Sequence, residues 1–131
     1  MMVVLKRNPY EPFVTQEDDG LVYHLPVESG FSSKRLKFSI SEEDVAVLKT
    51  DNARFYFLFA VLHQKYQMQN PALAPGTDPY FGSILRLPPA DVTAILDAAD
   101  VESRGAVRHM ACKLLGRNSD EMGKGRWFET T

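Results

Sequence analysis

The chain has 131 residues, of which 44% are hydrophobic and 24% are charged, and its formal net charge is −2. This composition is typical of a globular domain and excludes the disordered, collagenous and membrane classes of protein. The small net charge gives no global attraction for nucleic acid or an anionic membrane, so neither is the expected partner. The length suits a single domain with a sizeable core.

The chemistry of the chain is limited by its few cysteine and histidine residues. The single cysteine, Cys112, excludes an intramolecular disulfide, and residues 1–10 lack the apolar stretch of a signal peptide, so we expect a cytoplasmic protein. Zinc sites need three or four ligands, whereas only His109 and Cys112 form a ligand pair. The sequence contains no phosphate-binding loop and no nucleophile motif. We expect no metal, no cofactor and no catalytic activity.

The first 20 residues contain one short candidate strand. Residues 1–5 are apolar and predict either a strand or a packed terminus, whereas Pro9 and Pro12 interrupt regular structure after them. An acidic turn ends this part of the chain at Gly20.

Two further strands are predicted before residue 41. Residues 21–25 are rich in strand formers and end at Pro26, and residues 35–40 alternate polar with apolar side chains. The loop 28–34 joins them. The apolar face of the second strand needs a helix or another sheet to cover it.

Two helices are predicted to follow, and the second is the centre of the core. Ser41 has the features of an N-cap, with an acidic first turn behind it that suits the helix dipole. The segment 50–52 supplies a break and a second cap. Residues 55–62, FYFLFAVL, form the longest apolar run and predict a helix buried on more than one side.

The second half of the chain predicts a loop, a short strand and two more helices. Residues 70–82 are rich in proline and glycine and predict a loop, and residues 84–87 predict a short strand. Pro88 and Pro89 open a helix, and Gly116 ends the last one. The predicted fold is therefore α+β, with a small antiparallel sheet packed against three or four helices. We expect one domain over residues 1–116 and a polar, mobile tail over residues 117–131.

The charge is distributed unevenly in the second half. Residues 78–102 carry a net charge of −4 and residues 103–127 a net charge of +4. A basic last helix carrying Arg104, Arg108 and Lys113 makes a small regulatory or DNA-binding protein the second hypothesis. The acidic helix before it argues against a helix-turn-helix, in which that helix crosses the phosphate backbone.

Acidic turns and aromatic residues in proline-rich loops are the candidate partner-binding residues. Aromatic side chains bury a large area at low entropy cost, and carboxylates suit a basic partner. The alternative is that the carboxylates only cap helices and the aromatics only hold loops on the core. The candidates are Glu17, Asp18, Asp19, Glu42, Glu43, Asp44, Tyr80, Phe81 and Trp127.

One stretch resembles a known class of protein. The segment FSISEED at 38–44, followed by Leu48, Asp51, Arg54 and the residues up to Gln67, is similar to small bacterial immunity proteins. These are cytoplasmic antidotes encoded beside polymorphic or contact-dependent growth-inhibition toxins. The resemblance implies a non-catalytic protein that binds a toxin domain, often a basic nuclease, and occludes its active site. It assigns no binding residue, because the matching positions are mostly core and capping positions.

Two questions stay open at this stage. An unrecognised small enzyme is the third hypothesis, and a cleft that holds His24, His63 or His109 beside a carboxylate would favour it. A homodimer is also compatible with the sequence.

Overall fold

The computed structural model describes residues 2–18, 20–29, 32–67 and 77–128. Its strands form one antiparallel sheet in the order β1-β2-β3-β4. Six helices follow in the described part of the chain, so the predicted α+β class in a single domain is confirmed with more helices than expected. The elements are β1 (Met2–Lys6), β2 (Phe13–Glu17), β3 (Gly20–Ser29), β4 (Ser32–Ser39), α1 (Glu42–Thr50), α2 (Asn52–Gln67), α3 (Pro79–Arg86), α4 (Pro89–Glu102), α5 (Ala106–Leu115) and α6 (Ser119–Gly123).

The sheet has one face on the core and a second face that carries the alternate side chains of its strands. Val14, Tyr23 and Phe38 lie opposite one another on β2, β3 and β4 and are all buried in the core. Side chains alternate between the two faces of a strand, so Phe13 and His24, in the neighbouring row, project from the other face. We call this second surface the outer face of the sheet.

Helix α2 is the centre of the molecule. All side chains of residues 55–62 are buried, which confirms the predicted core helix. The helix contacts β3 on one side and α1, α3, α4 and α5 on its others. A helix surrounded in this way is apolar all round, as its sequence indicated.

The predicted helix ends are confirmed by hydrogen bonds. Ser41 Oγ accepts from the backbone N–H of Asp44 at 3.1 Å, and Asp51 Oδ1 accepts from that of Arg54 at 3.1 Å. Gly116 ends α5 in the left-handed conformation, with φ of 68°.

Two predictions about the sheet are wrong. Strand β3 continues through Pro26 to Ser29, because its pairing with β4 extends to Ser29. On the other edge β2 begins only at Phe13, opposite His24, and no described strand lies beside Pro26. A proline is tolerated there, since its missing N–H has no ladder partner to lose. Strand β2, which starts directly after Pro12, is not predicted by the sequence pattern.

Residues 84–87 do not form the predicted short strand. Residues 84–86 lie in α3, which begins at Pro79, and Asp78 caps it by accepting from the backbone N–H of Tyr80 at 2.8 Å. The predicted loop 70–82 therefore ends earlier than expected, and its first residues, up to 76, lie outside the described part of the chain.

The expected mobile tail is instead packed on the domain as far as residue 128. It contains α6, and the Trp127 side chain is completely buried, with its ring 5.7 Å from that of Phe57. Trp127 Nε1 donates to Asp97 Oδ1 at 2.8 Å, and Arg117 donates to the Trp127 carbonyl oxygen at 2.6 Å. The domain therefore does not end at residue 116.

Candidate functional site

The fold brings two separate acidic segments of the sequence to one end of the sheet. The β2–β3 turn carries Glu17 and Asp18, and the first turn of α1 carries Glu42 and Glu43. The two segments are joined across the sheet, because the backbone N–H of Ile40 donates to the Leu21 carbonyl oxygen at 3.2 Å. Asp18, Glu42 and Glu43 are exposed at this end. Asp19 lies outside the described residues.

Asp44 does not belong to this exposed group, although it is adjacent in sequence. Its side chain is buried, and Asp44 Oδ1 accepts from Arg86 Nε at 2.8 Å. Arg86 also donates to Ser41 Oγ at 2.9 Å. The hydrogen bond to Asp44 and the charge of that carboxylate raise the pKa of the Arg86 guanidinium. Asp44 therefore joins α1 to the end of α3 and leaves no free carboxylate for a partner.

Glu17 has a structural role on the outer face of the sheet. Its Oε2 accepts from the hydroxyl of buried Thr15 at 2.7 Å and lies 3.4 Å from His24 Nε2. The Thr15 hydrogen bond and the nearby Lys37 ammonium hold the pKa of Glu17 below its usual range. The carboxylate stays half-exposed, so Glu17 contributes negative charge at the edge of the acidic end.

The aromatic candidates separate into buried and accessible residues. Phe81 packs edge-on against Tyr23 in the core, and Trp127 is completely buried, so neither can contact a partner. Tyr80 is half-buried beside the ammonium of Lys65, which lies 5.2 Å from its ring centre. Tyr80 lies in the first turn of α3, whereas the acidic end lies at the other end of that helix, beside Arg86.

Strand β1 adds an apolar component to this end of the sheet. The sequence predicts either a strand or a packed terminus over residues 1–5, and the structure shows a strand. In the described part of the chain β1 pairs only with β2, so its other edge carries unpaired backbone groups. Met2 and Val3 are 68% and 51% exposed on this edge. Such an edge is a template for pairing with another chain.

The exposed apolar edge and the exposed carboxylates lie at the same end of the sheet. Met2 lies opposite Gln16, and Gln16 opposite Leu21, beside which Ile40 lies. Three strand spacings of ~4.8 Å place Met2 about 14 Å from Ile40, which comes just before Glu42 and Glu43 in the chain. This distance is within the extent of one protein interface. We call this surface the acidic edge and define it by Met2, Val3, Asp18, Glu42 and Glu43.

The predicted basic last helix is not formed as expected, because Arg104 lies in the turn before α5 and α6 follows α5. Arg104 and Lys113 are exposed, but Arg108 Nε lies 3.5 Å from Asp100 Oδ2. The Asp100 Oδ1 also accepts from the backbone N–H of Arg108 at 3.0 Å. Arg108 is thus half-buried in a structural pair between α4 and α5, which reduces the basic surface of the DNA-binding hypothesis.

The three histidines lie in different surroundings: His24 is buried, His63 lines a groove and His109 is exposed. His24 lies beside Glu17 but is only 2% exposed, with the Phe13 ring stacked on it at 4.4 Å between ring centres. His63 lines a groove that also contains Glu28, but its Nε2 accepts from the Glu28 backbone N–H at 3.4 Å. His109 is exposed on α5.

A separate cleft of about 390 Å³ lies between α2, α3 and the α4–α5 turn. It is lined by Lys65, Tyr80 and Glu102 among others, and by no histidine. Within the described ranges no three His, Cys, Asp or Glu side chains are grouped so as to hold a metal ion.

Two findings complete the description of the chain. Among the helices that the structure describes, none combines the length and the apolar character needed to cross a bilayer. Comparisons of this chain with protein-family models, curated proteins and solved structures gave no match.

Proposed function

We propose that this protein is a non-catalytic binding module whose partner is a basic protein domain. The observation that carries the proposal is the acidic edge, where the outer edge of β1, which no described strand pairs with, lies at the same end of the sheet as exposed carboxylates. The strand edge can add main-chain hydrogen bonds to a partner strand, and the carboxylates can steer a basic surface toward it.

The finer proposal is that the partner is a bacterial toxin domain and that the chain acts in the cytoplasm as its antidote. The resemblance of residues 38–67 to immunity proteins motivates this proposal. The acidic edge supports it through charge, because a nuclease that binds phosphates presents basic residues at its active site.

The first experiment is a pull-down of the tagged protein from its native lysate, with mass spectrometry of the bound proteins and quantification of nucleic acid in the same eluate. One stoichiometric protein with a basic surface is the expected result. Recovered nucleic acid without a protein partner would contradict the proposal and favour the DNA-binding hypothesis.

Charge reversal then tests whether the acidic edge is the surface used. Glu42→Lys should lower the association rate constant for the recovered partner about tenfold at low salt and weaken its salt dependence, because exposed interfacial charges act mainly on the encounter. Asp91→Lys is the matched control, since Asp91 is also an exposed carboxylate in the first turn of a helix, on α4. Equal effects of the two reversals would contradict the assignment of the surface.

The apolar strand edge needs a separate variant. Val3→Lys should raise the dissociation rate of the complex while leaving the free energy of unfolding within about 0.5 kcal/mol, because Val3 is half-exposed at an edge. Val101→Lys, at a position that is 79% exposed on α4, is its control. Unchanged dissociation in Val3→Lys would exclude the β1 edge from the interface.

A further inference from the structure

A second exposed surface lies at the other end of β3, and it begins with a strained turn. The backbone N–H of Glu11 donates to the Asn8 carbonyl oxygen at 3.3 Å, which closes a β-turn with Pro9 and Tyr10 at its centre. Tyr10 has φ of 67°. Proline followed by a residue with positive φ is the pattern of a type II turn, in which glycine or asparagine normally occupies the second position.

The strain at Tyr10 holds an aromatic side chain in solvent. Its ring is 84% exposed, the largest fraction among the large apolar side chains that the structure describes. The left-handed conformation disfavours a tyrosine, and the exposed ring gains little burial in return. Backbone strain that the fold does not need for packing points to a function of the side chain.

Beneath Tyr10 lies a groove of about 230 Å³. Its apolar lining includes Phe59 from α2 together with Met110 and Leu114 from α5. The groove lies at the edge of β3 opposite β4, where β2 begins only at Phe13 and no other described strand continues beside the last part of β3.

Side chains of α2 replace the missing strand at this edge of β3. His63 Nε2 accepts from the backbone N–H of Glu28 at 3.4 Å, and Gln67 Nε2 donates to the Glu28 carbonyl oxygen at 3.2 Å. These bonds fix the backbone of β3 at one wall of the groove. The groove is therefore a preformed feature of the fold.

The charges that line the groove are of one sign. Among the described residues that line it, Glu11 and Glu28 carry carboxylates and none is a lysine or an arginine. His63 adds no positive charge near neutral pH, because burial lowers its pKa although the nearby Glu28 carboxylate partly opposes this effect. Glu11 Oε1 accepts from the Tyr56 hydroxyl at 2.7 Å, which fixes the position of this carboxylate.

We propose that this groove binds a short segment of a partner protein in which an apolar side chain is adjacent to a lysine or arginine. The apolar side chain packs on Phe59, Met110 and Leu114, and the cation lies between the carboxylates of Glu11 and Glu28. The exposed face of the Tyr10 ring adds a cation–π contact. We call this surface the Tyr10 groove. It is separate from the acidic edge, because β3 runs from the acidic edge at Gly20 toward the groove at Glu28.

The probe for this proposal is a phage-displayed library of random dodecapeptides, selected on the intact protein. The expected result is a consensus with one apolar residue next to a lysine or arginine. Addition of a synthetic consensus peptide to ¹⁵N-labelled protein should then shift the amide signals of Tyr10, His63, Met110 and Leu114. A consensus without a basic residue, an absence of enriched peptides, or shifts at the acidic edge alone would each overturn the proposal.

Two variants separate binding from folding. Tyr10→Gly should raise the melting temperature, because glycine adopts the left-handed conformation freely, and should weaken the consensus peptide about tenfold. Glu28→Gln should weaken it severalfold, whereas Glu102→Gln, at an exposed site on α4, should not. A stabilised Tyr10→Gly protein that binds the peptide as tightly as the wild type would overturn the proposal. So would concentration-dependent dimerisation that Tyr10→Gly abolishes, because a second copy would then be the occupant of the groove.

Discussion

Individual polar residues are assigned by partners that lie far away in the sequence. Asp44 looks like part of an acidic surface next to Glu42 and Glu43, yet it is buried against Arg86, which follows 42 residues later. Helix capping at Ser41 was readable, because it involves residues three positions apart. The buried ion pair between Asp44 and Arg86 could not be predicted, because local sequence carries no information on which helix covers which side chain. Acidic residues in a first turn therefore divide into capping, buried and exposed ones only when the packing is known.

His24 should make the stability of the protein depend on pH. Burial lowers its pKa in the folded protein below the ordinary value of 6.5, and the nearby Arg35 guanidinium lowers it further, while Glu17 opposes both. The unfolded chain then binds more protons than the folded one as the pH falls below about 6.5. The free energy of unfolding should be highest above this pH and should decrease between about pH 6.5 and pH 5, as measured by urea denaturation.

The variant His24→Gln tests the origin of this slope, because its amide can still bond the Thr15 hydroxyl that lies 2.9 Å from His24 Nε2. We expect a smaller but non-zero slope in the variant, since burial also lowers the pKa of His63. Glu17 contributes at lower pH only, because its pKa is held below the ordinary 4.5. A slope identical to that of the wild type would show that His24 is protonated equally in the folded and unfolded chains.

At the scale of elements, the sequence predicts those whose ends carry a strong signal. Ser41, Asp51 and Pro89 mark the starts of α1, α2 and α4, and all three predictions are confirmed. The signal for α3, Asp78 before Pro79, lay inside a proline- and glycine-rich stretch that pointed to a loop. The apolar stretch 84–87, of which residues 84–86 belong to α3, was too short to separate helix from strand by periodicity. Strand β2 was missed because it begins next to Pro12 and depends on pairing with β3.

The candidate site was predictable only in part, because it also depends on strand pairing between distant segments. Glu42 and Glu43 were expected in the binding surface, and the structure leaves both exposed. Their position beside the β2–β3 turn depends on the pairing of β3 with β4, which periodicity does not specify. The exposed edge of β1 depends on the absence of a fifth strand beside it in the described residues. Long-range strand order is thus the information that the sequence alone does not supply.

The segment after α5 is an integral element of the fold, and Trp127 anchors it. Trp127→Ala should cost about 3–5 kcal/mol of the free energy of unfolding, because it removes a large buried side chain and leaves Asp97 Oδ1 without its indole donor. Lys124→Ala is the control, since this exposed lysine makes only a surface ion pair with Glu121 and should change stability by less than about 0.5 kcal/mol. Urea unfolding followed by circular dichroism measures both. Equal midpoints for the two variants would mean that residues 117–128 do not contribute to the folded core in solution.

In the whole molecule, helix α2 at the centre and strand β1 at the edge of the sheet differ in the number of elements that pack against them. The centre of helix α2, residues 55–62, is buried, and the helix contacts β3 and four other helices, so we expect this centre to open only when the whole domain unfolds. Among the described strands β1 pairs with β2 alone, and its ladder contains a shift in register between Val3 and Leu5. Proteins open locally where few buried apolar contacts resist, and functional edges are drawn from such regions.

Native-state hydrogen exchange should therefore separate these two regions. Amides in the buried centre of α2, residues 55–62, should exchange only through global unfolding, with an opening free energy equal to that from urea denaturation. The amides of β1 that donate to β2 should exchange through local opening, at least about 2 kcal/mol more easily, with little dependence on denaturant. The partner recovered in the pull-down should protect β1 selectively if it pairs with this edge. If β1 and α2 exchanged with the same opening free energy in the isolated protein, the edge would be part of the cooperative core. A partner strand would then bind a rigid sheet without prior local opening of β1. The association rate would in that case depend on charge steering and not on the opening of this strand.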